Sequence, residues 1–255
     1  MVKHWYIIGI LVVGLVGFAY SQMEFEGRYW LPDLTANARV SDAGIAGTEF
    51  DLVSDLGFDD ENAFEGRLIW NISPRQVVRV AYTQLHYTGD QNINQQIIFD
   101  GQVYNIGTRV VSDLKIQYAR AGWIWYFADS GQGKFKLGTL VEAKGIWLDA
   151  KLDAPDTVPA ISEEKEVVVG LPTVGLVLDL NPAPMINIFA EASGLTAGDW
   201  GYCLDAEAGL KFIPVKNLTI FGGYRYLDAK GEDEDNNDFV KAKLKGPFAG
   251  ATFRF

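Results

Sequence analysis

The sequence predicts an all-β chain, a transmembrane antiparallel up-and-down β-barrel of about ten strands, with eight or twelve as the neighbouring even counts. Three observations point there. Apolar and polar residues alternate with period two through most of the chain beyond residue 22. The connections alternate between tight turns and long polar stretches. No run beyond residue 21 supplies the roughly 20 apolar residues that a spanning helix needs. Alternation by itself fits a soluble sandwich equally well, because both architectures give each strand one apolar face. The turn asymmetry, the leader described next and the placement of the aromatics separate the two.

Residues 1–21 hold Lys3 as their one charge, the apolar run Trp5 to Ala19, and small residues Ala19 and Ser21 at the −3 and −1 positions of a cleavage site. That pattern is a secretory signal peptide removed after Ser21, so residues 22–255 are expected to form a single barrel domain. With no Cys near the site, the leader is not of the lipoprotein kind. Strands are expected near 24–39, 62–72, 76–87, 110–127, 134–149, 164–180, 185–195, 201–213, 217–229 and 237–255. The segments 71–76 (NISPRQ), 128–133 (ADSGQG), 181–185 (NPAPM) and 213–217 (IPVKN) are tight turns, while 40–61, 88–109, 150–163, 196–200 and 230–236 are the longer polar connections. Short turns on one rim and long loops on the other are the habit of membrane barrels. Within 88–109, an Asp100-Gly101 turn of type I′ predicts a small hairpin projecting above the membrane.

The alternation assigns faces. Leu218, Ile220, Gly222, Tyr224 and Tyr226 share the lipid side, opposite Thr219, Phe221, Gly223 and Arg225; Phe64, Leu68 and Trp70 likewise oppose Glu65 and Arg67. In 114–127 the parity conflicts, since Leu114, Ile116 and Tyr118 fall with Arg120 and against Trp123, Trp125 and Phe127, which predicts a bulge near Tyr118 to Arg120. A second bulge is expected in the last strand, turning Lys241, Lys243 and Lys245 inward.

The inward charges then form a lumen network of Arg28, Glu65, Arg67, Arg79, Arg120, Glu142, Glu191, Glu207 and Arg225, joined by Glu26, Lys144, Asp205, Lys211 and the three lysines, and leaning basic. A narrow lumen penalises unpaired charge, so these groups are expected to interlock and plug it; a narrow anion-preferring channel is the alternative. Glu191 and Glu207 are the expected partners of Arg225.

Catalytic chemistry has little to stand on. Beyond the leader the one histidine is His86, expected to point outward at the rim near Tyr82, Tyr87 and Asp90, with no nucleophile motif around it. An enzyme is therefore not expected, and neither is a cofactor. The acidic stretches Asp51, Asp55, Asp59, Asp60, Glu61 and Glu232, Asp233, Glu234, Asp235, Asp238 offer oxygen ligands to Ca²⁺ or Mg²⁺, but without the fixed spacing of a calcium loop; the plainer expectation is solvated, disordered charge. Without the leader, 21 basic residues face 33 acidic ones, a net charge of −12 that argues against nucleic acid. The single Cys203 rules out an intrachain disulfide and is expected to be a small packed residue.

The segment 246–255 (GPFAGATFRF), with Phe255, Phe253, Ala251 and Ala249 at alternating positions, resembles the terminal strand of Gram-negative outer-membrane β-barrel proteins of the small, porin-like kind; 217–227 (NLTIFGGYRYL) looks like their penultimate strand. The resemblance implies location in the cell outer membrane, contact with its lipid and lipopolysaccharide, and Phe253 and Phe255 as the signal read by the barrel-assembly machinery. It also implies an envelope-stabilising or loop-presenting role, with a porin-like channel as the alternative and a surface lipid or peptide hydrolase as a third.

Overall fold

The computed structural model describes residues 22–41, 45–130, 133–196, 198–233 and 238–255. The leader expected over 1–21 and the acidic residues Glu234 and Asp235 lie outside them.

Strands in chain order are β1 (Gln22–Trp30), β2 (Asp33–Arg39), β3 (Phe50–Asp51), β4 (Ala63–Ser73), β5 (Gln76–Asn92), β6 (Ile97–Phe99), β7 (Gln102–Tyr104), β8 (Arg109–Asp129), β9 (Phe135–Ala154), β10 (Ile161–Ala183), β11 (Ile186–Thr196), β12 (Gly201–Val215), β13 (Leu218–Asp233) and β14 (Asp238–Arg254). Apart from the small β6–β7 hairpin they make one sheet of twelve, and pairing of β1 with β14 closes it. Both β1 and β2 pair with β14, on either side of Leu31-Pro32, and so are two halves of one wall strand; β3 adds two residues to the edge of β2. The wall therefore has ten antiparallel strands.

Period-two sequence becomes a two-sided wall. On β4, Glu65 and Arg67 are buried while Phe64, Gly66 and Leu68 are exposed; on β13, Phe221 and Arg225 are buried while Ile220 and Tyr224 are exposed. Phe64 is 74 % exposed, a state that costs little in lipid and much in water. Outward Trp123, Trp125, Tyr29 and Tyr82 add to the same apolar belt.

Neither expected bulge forms. β8 alternates without a break, with Leu114, Ile116, Tyr118 and Arg120 all buried and Trp123, Trp125 and Phe127 exposed; its ladders shift register only between Tyr126 and Ala128. The conflict disappears because the loop-side lumen is itself apolar, so Leu114 and Ile116 belong inside. β14 likewise keeps an unbroken register with β13, which sends Lys241, Lys243 and Lys245 outward with Pro247, Ala249 and Phe253 and leaves Leu244, Gly246 and Phe248 inward.

The turns on the short side are tight, and β5, β8, β9 and β10 rise well beyond the neighbouring β11–β12 hairpin on the long-loop side. The β6–β7 hairpin turns at Asp100 (φ 47°) and Gly101 (φ 79°), both in the left-handed region that a type I′ turn requires. Phe50, Leu52, Leu56, Phe58, Ile97 and Phe99 bury together over this side of the barrel. Hence 45–61 is ordered where the sequence predicted a solvated loop. Its acids serve the backbone: Asp51 accepts hydrogen bonds from the amides of Val53 (2.9 Å) and Ser54 (2.7 Å), and Asp55 accepts from the amide of Asp51 (2.8 Å).

Candidate functional site: the charged layer of the lumen

Every second residue of a barrel strand points inward, so ten strands stack their polar positions at similar depth. Here that depth holds six cations, Arg28, Arg67, Arg79, Arg120, Lys144 and Arg225, and six carboxylates, Glu26, Glu65, Glu142, Glu191, Asp205 and Glu207. The layer is balanced in sign rather than basic, because the lysines of β14 face outward.

Glu65 on β4 is its hub. Its side chain is fully buried and accepts from Arg120 (2.7 Å), Arg225 (2.7 Å) and the Thr83 hydroxyl (2.7 Å), with Arg67 and Arg28 on its other oxygen. Glu207 takes Arg28 and Arg67, each at 2.8 Å. Asp205 takes both arms of Arg225 (3.0 and 2.8 Å), Arg120 (3.3 Å) and the Tyr118 hydroxyl (3.0 Å). Arg79 on β5 reaches Glu142 (2.8 Å) and, across the lumen, Glu191 on β11 (2.7 Å). Lys144 completes the chain between Glu142 and Asp205 while donating to Ser193 (2.9 Å).

Two positions depart from the sequence expectation. Arg225 pairs with Asp205 and Glu65, not with Glu191 or Glu207, although Glu207 is its ladder neighbour. Strand tilt shifts side chains of equal register to different heights, so the diagonal carboxylate two residues along comes within reach. Asp205 thereby emerges as a principal acid of the layer. The arginines are also stacked: Arg28 lies 4.6 Å from the Phe248 centroid and Arg225 4.8 Å from that of Trp30. Space for these rings comes from Gly223 and Gly250, where a Cβ would strike Phe248 or Phe221 and the backbone of the facing strand.

The layer divides the lumen. Toward the short turns lies a polar cavity of about 650 Å³, bounded by Glu24, Arg79, Tyr126, Lys136, Asp179 and Lys211 among others. Toward the long loops lies an apolar cavity of about 460 Å³, bounded by Leu85, Ile116, Ile146, Leu227 and Leu244 among others. Glu65, Arg120, Glu142, Lys144, Asp205 and Arg225 border neither.

Outside the lumen, His86 points outward as expected, and its Nε2 lies 2.7 Å from Asp113 Oδ2 on β8. Sequence spacing gave no sign of that pair, which the β5–β8 register creates by setting Asp113 opposite Thr88. Among the described residues, Asp149, Glu164 and Glu166 on β9 and β10 are acids that gather closely enough for a metal, a group the sequence reading did not single out; the 232–238 cluster lies partly outside the described residues. Phe253 sits between Phe25 of β1 and Leu218 of β13, and the amide of Phe255 donates to the carbonyl of Met23 (3.0 Å), so the terminal residues fasten the closing seam.

No protein-family model and no curated protein matches the sequence. Solved structures do match its fold. The outer-membrane protease OmpT of Escherichia coli superposes over 92 % of this chain and 97 % of its own, at TM-score 0.63 and 10 % identity. Ail, the attachment invasion locus protein of Yersinia pestis, covers 92 % of this chain and 99 % of its own, at TM-score 0.40 and 15 % identity. The translocator domain of the autotransporter NalP of Neisseria meningitidis covers 91 % and 88 %, at TM-score 0.47 and 10 % identity. With a closed ten-strand wall, an apolar exterior and a charged interior, the chain has the fold of the Gram-negative outer-membrane β-barrel proteins.

Proposed function

We propose that the protein is a non-enzymatic, closed barrel of the outer membrane that stabilises the envelope and holds its ordered loop-side cap at the cell surface. The observation that carries this reading is the charged layer, which separates the two cavities and whose central side chains are at most 4 % exposed. Solute passage would require breaking several buried ion pairs at once, each strongly resisted once one charge is left uncompensated. The non-enzymatic part is supported by His86, which faces away from the lumen and, among the described residues, has Asp113 but no nucleophile bonded to it. OmpT is a protease, but a likeness at 10 % identity extends to fold alone.

Reconstitution in a planar bilayer tests the reading. The wild-type barrel is expected to be silent, and Glu65→Ala, which removes the hub, to leak. Steady unitary conductance from the wild type would instead make the protein a narrow channel.

A further inference from the structure

We propose that the polar cavity on the short-turn side binds a free acidic α-amino acid from the periplasm. Four side chains on consecutive strands make the site: Lys136 on β9, Asp179 on β10, Asn187 on β11 and Lys211 on β12, all bordering that cavity. The ladders set them in one row. Lys136 is the register partner of Asp179, and Asn187 that of Lys211, while the Asn187 amide donates to Asp179 (3.3 Å) and joins the two pairs.

Unlike the charged layer, the row leaves its charges unmatched. Among the described residues neither Lys136 nor Lys211 forms an ion pair, and neither does Asp179. Lys136 turns from Asp179 to the carbonyl of Pro74 (3.3 Å), and Lys211 lies 4.6 Å from the ring centroid of Phe189. Glu26, the layer acid whose charge Lys211 offsets at longer range, is already held by Arg28 at 2.6 Å. Asp179 accepts from the Tyr126 hydroxyl (2.6 Å) and from Asn187, both uncharged. The Oδ1 of Asn187, buried in the row, accepts no hydrogen bond.

Two cations and one carboxylate without ionic partners complement a ligand with two carboxylates and one ammonium, the set that free glutamate or aspartate carries. The α-carbon holds its carboxylate and ammonium side by side, as the ladder holds Lys136 and Asp179; the side-chain carboxylate then extends along the row to Lys211. A peptide carries these groups at opposite ends and matches less well. The cavity volume of about 650 Å³ falls within the roughly 300–1,000 Å³ of small-molecule sites. Its border runs out to Ser73, Pro74, Asn181 and Ile213 at the short turns, so it opens toward the periplasm. Arg75, Lys134 and Lys216, exposed at those turns, draw anions to the mouth. The charged layer closes the far side, so the ligand is held and not passed on.

The protein, folded as the full barrel in phosphatidylcholine nanodiscs, is titrated by calorimetry with L-glutamate, glutarate, 4-aminobutyrate and L-alanine. Glutamate should bind at one per barrel. Each of the others lacks one charged group and should bind about tenfold more weakly, the effect of losing one charge-assisted contact. Lys136→Gln and Lys211→Gln should each weaken glutamate binding by a similar factor with the melting midpoint unchanged, whereas Lys216→Gln, at a turn outside the cavity, should leave it as it is. Asp179→Asn should abolish the preference for glutamate over glutarate. Absence of saturable glutamate binding would overturn the proposal, as would equal affinity for glutarate, undiminished affinity in both lysine variants, or an equal loss in Lys216→Gln. Planar-bilayer silence is unaffected by any of these outcomes, so this inference and the closed-barrel reading fail separately.

Discussion

At the scale of single residues, the lumen turns on Glu65. Four guanidinium groups and one hydroxyl converge on a carboxylate with no access to water, so Glu65→Ala removes the shared partner and leaves like charges facing one another. Breaking one member of a buried pair costs about 3–5 kcal/mol, and the expected result is a thermal or denaturant midpoint lowered by that order. An unchanged midpoint would mean that water enters the layer and solvates the arginines. The assignment of Arg225 is testable apart from the hub. A double-mutant cycle on Arg225→Ala and Asp205→Ala should give a coupling of about 0.5–3 kcal/mol, whereas Arg225→Ala with Glu191→Ala should be additive. Coupling to Glu191 in place of Asp205 would restore the sequence expectation and reject the observed geometry.

Elements show where pattern suffices and where it fails. Alternation in β4, β12 and β13 placed Glu65, Glu207 and Arg225 inside, because a pleated strand leaves no other way to separate lipid from lumen. The same rule fails in β8 and β14. This lumen is apolar above the charged layer, so an apolar residue there need not face lipid: Ile116 and Leu244 are inward and Lys243 outward with no bulge. Loop 45–61 failed for a different reason. Its acids are conspicuous in the sequence, while the burial of Phe50, Leu52 and Leu56 depends on the β6–β7 hairpin arriving from some forty residues away. That hairpin is legible as Asp-Gly, and its docking is not. Tyr104 anchors it by donating to the carbonyl of Leu152 (3.0 Å), and burial holds its phenol above the usual tyrosine range, so it stays protonated as a donor. Gly101→Val forces a β-branched side chain into φ 79°, which should cost about 1–3 kcal/mol locally. Limited proteolysis should then cut 97–104 faster while the barrel melts as before; equal protection would mean the turn tolerates the change.

For the whole molecule, closure is the decisive event. β1 and β14 each present an open edge until they pair, and unsatisfied backbone in lipid costs several kcal/mol per group. Phe255 donates its amide to the carbonyl of Met23 across that seam (3.0 Å). Deleting Phe255 should leave the chain synthesised and exported but poorly inserted, measured as the fraction recovered folded in the outer membrane. Normal recovery would confine the last residue to a minor contact. Charge is also partitioned globally. The layer itself is neutral, so the net −12 of residues 22–255 is carried outside it, where water can solvate it.

The sequence by itself determined the barrel class with about ten strands, the side-chain faces of most strands and most of the inward charges, because these follow from a period of two along a single strand. Tertiary structure alone decided which acid meets which base, that the lumen is split into a polar and an apolar chamber, and that the ladder between β10 and β11 ends at Val174 while β10 runs on beside β9. These depend on the stagger between strands and on differences in their height, which one strand's pattern does not encode. Arg225 lies beside Glu207 in the ladder and yet bonds Asp205 and Glu65, since the tilt of a closed wall sets which side chains share a level.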